Sequence, residues 1–472
     1  MDHPMFAVPE PPPPPPPPPV RDPLAVALGN ASLLGIGYLM LGRRRTAVAA
    51  GAVTIALVSV LVSVGRWWCE VVVLLWWAAV IAHGWRAAGG RTGGVAVRSQ
   101  RITALAVTAL VLLAVGLLRF DASRIERRVA EAREDGACAR VLSGGEDVWF
   151  GHRVAGAPDV RRSDEAVDAC RRLRTAEAKL IAALATGDTG SLRTGFGTLA
   201  SVLAEPGQGR TVATVLDRFL GRLPTQDACR TVTVTDWLRL RPPTRNDLDR
   251  SATAVARTAP AALVGCGDTL MKADDWEGAR ARYQQLLDQF PQDGRTDAAK
   301  KGVRQATLSI ELANVRTLLE GASDDEQPEY CESPAKYSGA ARYGKGTNRA
   351  LYYGNDEYTD RLPGRWRAKD AAGAVLVVCV GEQKLGSAVQ TCTYRAERTG
   401  KLSQVTFHKV ALPVKAYELR TGKLVSSGKV QIGGRSCPSV IRSPAFASPD
   451  PDRYVKPSKG DVRAAFESLI DR

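Results

Sequence analysis

Eight of the nine cysteines, Cys138, Cys170, Cys229, Cys266, Cys331, Cys379, Cys392 and Cys437, lie beyond residue 120, and Cys69 alone precedes it. Thiols can ligate a metal, cycle as a redox pair or close disulfides. No two of these stand as CxxC, and none of the four histidines, His3, His83, His152 and His408, stands at ligand spacing from another His or a Cys. Neither a zinc site nor a thioredoxin-type couple is indicated, and no metal or cofactor is expected. An even, scattered set reads instead as disulfides formed in an oxidising compartment. Cys138 is expected to pair with Cys170 and Cys229 with Cys266, each closing a loop for which chain entropy gives on the order of 3 to 4 kcal/mol. If residues 375–380 and 389–395 form a hairpin centred between residues 385 and 386, Cys379 faces Cys392 at disulfide range. Cys331 is then left to Cys437.

Other chemistry-bearing residues form no constellation. The run 339–345, Gly-Ala-Ala-Arg-Tyr-Gly-Lys, opens like a phosphate-binding loop, but Gly346 stands where a Ser or Thr would hold magnesium, and no strand precedes it. Asn355, Asp356, Glu357 and Asp360 offer oxygens without the spacing of an EF-hand. Glu70, an acid within an apolar stretch, lies one turn from Arg66 and reads as a snorkelling pair near an interface. No catalytic residue is assigned, and the chain reads as a non-enzyme more readily than as an enzyme.

What positions these residues starts with four apolar segments, 24–41, 47–65, 69–85 and 102–118. Each approaches the roughly 20 residues a helix needs to cross about 30 Å of hydrocarbon, so a four-helix transmembrane anchor over 23–120 is expected. Arginines tie as an orientation signal. Arg43, Arg44, Arg45, Arg86, Arg91, Arg98 and Arg101 fall on one side of such an anchor; Arg21, Arg66, Arg119, Arg124, Arg127, Arg128 and Arg133 fall on the other. The bare cluster at 43–45 and the cysteines beyond the last span place the body outside the cytoplasm, in the cell envelope, and a front carrying prolines 11–19 on the same side. The net charge is +15, of which residues 1–120, with ten Arg and four acids, hold +6. The remaining +9 suits a body near anionic lipid or an anionic envelope polymer. No Lys/Arg run interleaved with aromatics points to nucleic acid. The front, 1–22, reads as a polyproline tail.

From 121 to 321 apolar residues recur three and four apart, as in Val212, Val215, Leu216, Phe219 and Leu220, which predicts an all-α body. Within it Leu263, Gly267 and Leu270, followed by Trp276, Ala279, Tyr283, Leu287 and Pro291, fall at the spacing of a tetratricopeptide repeat. Segment 261–291 resembles that family, with a weaker echo at 175–206. The physical sense of the pattern is that small Gly267 and Ala279 let antiparallel helices approach while larger residues fill the seam. The resemblance implies a helical array that binds protein or peptide segments and does no chemistry.

After a linker at 322–330 the period changes. Runs at 375–380, 389–395, 405–419 and 424–432 predict a small antiparallel sheet of four or five strands in a β-rich domain over 331–448, with turns at Thr399-Gly400-Lys401 and Thr421-Gly422-Lys423. In the tail, 449–472, Ser458 and Asp461 are placed to box the start of a final helix. The whole plan resembles membrane proteins of Streptomyces-type actinobacteria, which implies a membrane location and no particular activity. A membrane-anchored extracytoplasmic binding or scaffold protein is the expectation. An envelope enzyme with its site in the C-terminal domain is the alternative, and a small transporter or channel with a regulatory body comes third.

Overall fold

The computed structural model describes residues 22–90, 97–321, 327–442 and 449–472; the proline tract lies outside them. Among the described residues three helices are long and apolar enough to cross a membrane: Arg44–Val64 and Trp67–Ala87, with 21 residues each, and Arg98–Glu134, with 37. At 1.5 Å per residue the first two span about 31 Å and the third about 55 Å. The third is longer than the roughly 30 Å a hydrocarbon layer measures, and its Ile125, Val129 and Ala132 enter a core with Val141, Val167 and Cys170.

The segment expected to supply the first of four spans does not form one helix. It folds as Pro23–Ala31 and Ile36–Met40, joined through Leu33 and Gly35, both at positive φ. Helices of nine and five residues reach only about 14 and 8 Å. The physical cause is the polar, glycine-rich composition of its middle. Ser32 Oγ donates back to the Gly29 carbonyl at 2.7 Å, and Asn30 Nδ2 reaches across to the Val80 carbonyl at 3.3 Å. Gly84 makes that reach possible, because a Cβ there would lie 2.1 Å from Asn30 Nδ2. The pairing expected for Glu70 is also corrected. Its carboxylate is held by Arg119 of the neighbouring long helix at 2.5 Å, and not by Arg66.

By internal contacts the chain divides into two compact units, one of residues 1–226 with 233–257, the other of 227–232 with 258–472. The first unit holds the apolar helices and half of the helical body. There Ala157–Thr186 and Thr189–Leu203 form an antiparallel hairpin. Gly187, at φ +78°, ends one helix, and the Asp188 carboxylate caps the next by accepting from the Gly190 and Ser191 amides at 2.9 Å. Gly195 lets them close, since a Cβ would stand 2.7 Å from the Leu180 side chain.

The second unit packs Trp276–Gln289 and Thr296–Leu319 against the end of Ser251–Lys272. Thr296–Leu319 also lends Val315 and Leu319 to a core containing Tyr330, Val377, Tyr417 and Leu419, so one helix serves both the α and the β parts.

The strands are β1 (Ala350–Tyr353), β2 (Leu376–Val380), β3 (Lys384–Arg395), β4 (Leu402–Glu418), β5 (Lys423–Ile432) and β6 (Asp452–Tyr454). Six strands form one mixed sheet, with β1 parallel to β2 and β6 parallel to β4. The 17-residue β4 is its spine. β2 and β3 lie end to end along one edge of it, with Val380 opposite Val414 and Lys384 opposite Ala411. β5 and β6 take the other edge. The hairpin expected between 375–380 and 389–395 does not exist: the actual hairpins are β3–β4 and β4–β5, turned at Gly400 and Gly422, both at positive φ. The closing helix Lys459–Ile470 starts with the expected Ser458–Asp461 box and buries Val462, Phe466, Leu469 and Ile470 in the core with β2 and β4.

Candidate functional site

All eight cysteines beyond the apolar helices pair. Cys138–Cys170 and Cys229–Cys266 are as expected, with Cα atoms 5.3 and 4.6 Å apart. The other two pairings are corrected to Cys331–Cys379 and Cys392–Cys437, each at 5.9 Å. Cys379 pairs in register with Lys415 and Cys392 with Val405, ten residues apart on β4, or about 33 Å along a strand. A Cys379–Cys392 bridge is out of reach, and with it the Cys331–Cys437 remainder. Cys69 is a buried free thiol.

The tetratricopeptide-like positions converge in part. Leu263, Ala279 and Tyr283 are buried in one cluster with Cys266, Leu286, Ala299 and Ala306, and Leu270 and Leu287 pack against it. The Tyr283 ring lies between two glycines, for a Cβ on Gly267 would come 2.5 Å from it and one on Gly302 2.7 Å. Its hydroxyl donates to Asp268 at 2.6 Å, and burial, with that carboxylate, pushes the phenol up from its ordinary value. Trp276 opens its helix half-exposed and outside the cluster, and Pro291 is exposed just past the helix end at Gln289. Gly267→Val is expected to destabilise this unit by about 2 to 3 kcal/mol, because the trapped ring cannot move aside; a thermal midpoint within a degree of the parent would contradict that.

The candidates for chemistry resolve as structure. Around residues 339–346 the amides are already engaged: Tyr343 N donates to Glu418 at 3.0 Å, Gly344 N to Asn348 Oδ1 at 3.0 Å, and Gly346 N to the Arg472 carbonyl at 2.8 Å. Glu357 and Asp360 pair with Arg361 and Arg367 at 3.0 and 2.9 Å. Among the described residues no group of three or more His, Cys, Asp or Glu side chains is placed to hold a metal.

His408 meets acceptors at both ring nitrogens, the Gly386 carbonyl at 3.1 Å and the Asp452 carboxylate at 2.7 Å. To donate to both it must carry two protons, and these two partners raise its pKa above the ordinary value. It ties β6 to β4. Since the folded state holds the proton more tightly, this stabilisation is complete below the ordinary His value and is lost as pH climbs through the raised one. Between about pH 6 and pH 9 the parent chain is therefore expected to lose on the order of 1 to 2 °C of Tm that His408→Phe does not lose. Parallel pH profiles for the two would sink this reading.

What sequence reasoning did not find is a groove in the first unit of about 390 Å³, among the helices Cys138–Glu146, Ala157–Thr186 and Gly209–Leu220. Cys138, Leu142, Leu173 and Val215 contribute apolar surface. Glu146, Arg174 and Arg218 are exposed and Glu177 half-buried around it, with Arg218 3.8 Å from Glu177. The Cys138–Cys170 bridge staples two of the three helices. No periodic signal marks such a groove in advance, because its lining comes from three helices with different phases. The chain matches no protein-family model, no curated protein and no solved structure.

Proposed function

We propose that this is a membrane-anchored binding protein whose disulfide-stapled helical body faces away from the cytoplasm and takes a short peptide segment of a partner protein. The observation that carries the reading is the groove: an apolar floor beneath two arginines and two glutamates on helices held by a disulfide. Such a site suits an apolar side chain flanked by charges. It extends the tetratricopeptide-like reading of 261–291, whose helix pair supplies the same kind of packed support.

With three spans the arginine tie breaks. Arg21, Arg43, Arg44, Arg45, Arg86, Arg91, Arg98 and Arg101, eight in all, then share one side against Arg66, Arg119, Arg124, Arg127, Arg128 and Arg133, six. The side with eight is cytoplasmic, the body is outside, and the proline-rich front is inside.

Panning a random-peptide library against the full chain in detergent tests the binding. Apolar peptides with neighbouring acids are expected to be enriched, and Arg174→Glu with Arg218→Glu is expected to lose them at least tenfold. Enrichment that survives the double reversal, or no enrichment for the parent, would refute the groove as the site.

A further inference from the structure

A second cleft, of about 300 Å³, lies between the antiparallel apolar helices Arg44–Val64 and Trp67–Ala87. Its polarity is graded. At one end stand Thr46, Tyr38 and His83, the Tyr38 hydroxyl 2.8 Å from His83 Nδ1. Deeper, the lining is Ala50, Val53, Ala79 and Trp76, and the Trp76 indole N–H is already bound to Thr54 at 3.0 Å, which leaves hydrocarbon facing the cleft. Small alanines on facing helices make a trough, and an empty trough open to lipid would forfeit dispersion contacts that a chain of methylenes restores.

The polar end carries a charge that no described carboxylate answers. Arg43, Arg44 and Arg45 are exposed, and no carboxylate among the described residues pairs with them. The helix they open has no acid in its first turn and no side-chain cap. Arg44 and Arg45 also border a shallow depression with Val48, Ala49 and Ala52, and Ala49 lines the cleft as well. Guanidinium groups recognise phosphate oxygens in pairs, and basic pockets between spans collect anionic headgroups.

We propose that this cleft binds one anionic phospholipid, with its phosphate at Arg44 and Arg45 and an acyl chain along Ala49, Ala50, Val53 and Ala79. The proposal rests on the membrane-spanning reading of these helices. A protein helix seated here would have to bring acids to the same end; the lipid supplies both parts from one molecule.

The test is native mass spectrometry of the full chain released from bilayers of equimolar phosphatidylglycerol and phosphatidylcholine. One phosphatidylglycerol is expected to be retained, on the order of tenfold over phosphatidylcholine. Arg44→Gln with Arg45→Gln should abolish the headgroup preference. Ala50→Leu with Ala79→Leu should fill the trough and abolish retention of either lipid, while Ile55→Leu, at an exposed position away from both depressions, should change nothing. Equal retention of the two lipids would overturn the proposal. So would phosphatidylglycerol binding that survives the filled trough, or displacement by millimolar inorganic phosphate, which would mean a free-anion site. Release of the chain from membranes by alkaline carbonate would instead remove the anchor reading itself, an outcome distinguishable from all of these.

Discussion

A reporter that fluoresces only in the cytoplasm is expected to light up when fused ahead of Asp22 and to stay dark when fused after Glu134, and an export-dependent phosphatase is expected to give the reverse. On the proposed three-span reading the effect is all or none, because an odd number of crossings puts the two positions on opposite faces. The segment 24–41 decides the parity. Helices of nine and five residues cannot each span, and their break at Ser32 to Gly35 is held by side-chain and backbone bonds to Gly29, Asn30 and Val80. The body also abuts the turn between the first two apolar helices, where Arg161 Nη1 donates to the Val64 carbonyl at 2.5 Å and its stem fills the space beside Gly65. That turn and the far end of Arg98–Glu134 must share a side. Identical readings at the two fusion sites would restore the fourth span.

The second large effect is at Cys331–Cys379. Both residues are buried among Tyr330, Val377, Tyr417 and Leu419, and 48 residues separate them. A loop of that length removes about 4 kcal/mol of chain entropy from the unfolded state. Replacing both by Ala should lower Tm by roughly 10 °C, with the Cys392–Cys437 bridge intact. The single change Cys379→Ala is the sharper diagnostic. Alkylation mapping should then find Cys331 as the newly free thiol; finding Cys392 free would reinstate the discarded hairpin register.

The parts of this structure that could be read in the sequence are those governed by local rules. Cys138–Cys170 and Cys229–Cys266 each join neighbouring helices, and Gly400, Gly422 and the Ser458–Asp461 box are signals a few residues long. The misreadings came where a local rule gave way to a distant partner. The connection expected to turn between residues 385 and 386 does not turn: the Gly381 amide donates to the Pro413 carbonyl at 2.8 Å, Leu385 lies opposite Val410, and the chain carries straight on along β4. β1 and β6, of four and three residues, are too short to show a period and exist only because β2 and β4 receive them. The groove near Arg174 was invisible for the same reason, its walls being set by how three helices pack.

The arrangement of β2 and β3 along one edge of β4 also fixes an order of events while the polypeptide is being made. Residues 376–395 leave the ribosome before 402–418 and share no ladder with each other; β2 can meet β1 by then, but β3 has no partner until β4 is complete. During that interval Cys331, Cys379 and Cys392 coexist as three thiols with one native bond among them, and the partner of Cys392 arrives only 45 residues later. A premature link to Cys392 is undone only by thiol exchange. The β3 edge and its bridge to Cys437 are thus expected to settle last, and the fraction of chains carrying a wrong link to Cys392 is expected to fall as disulfide exchange is made faster.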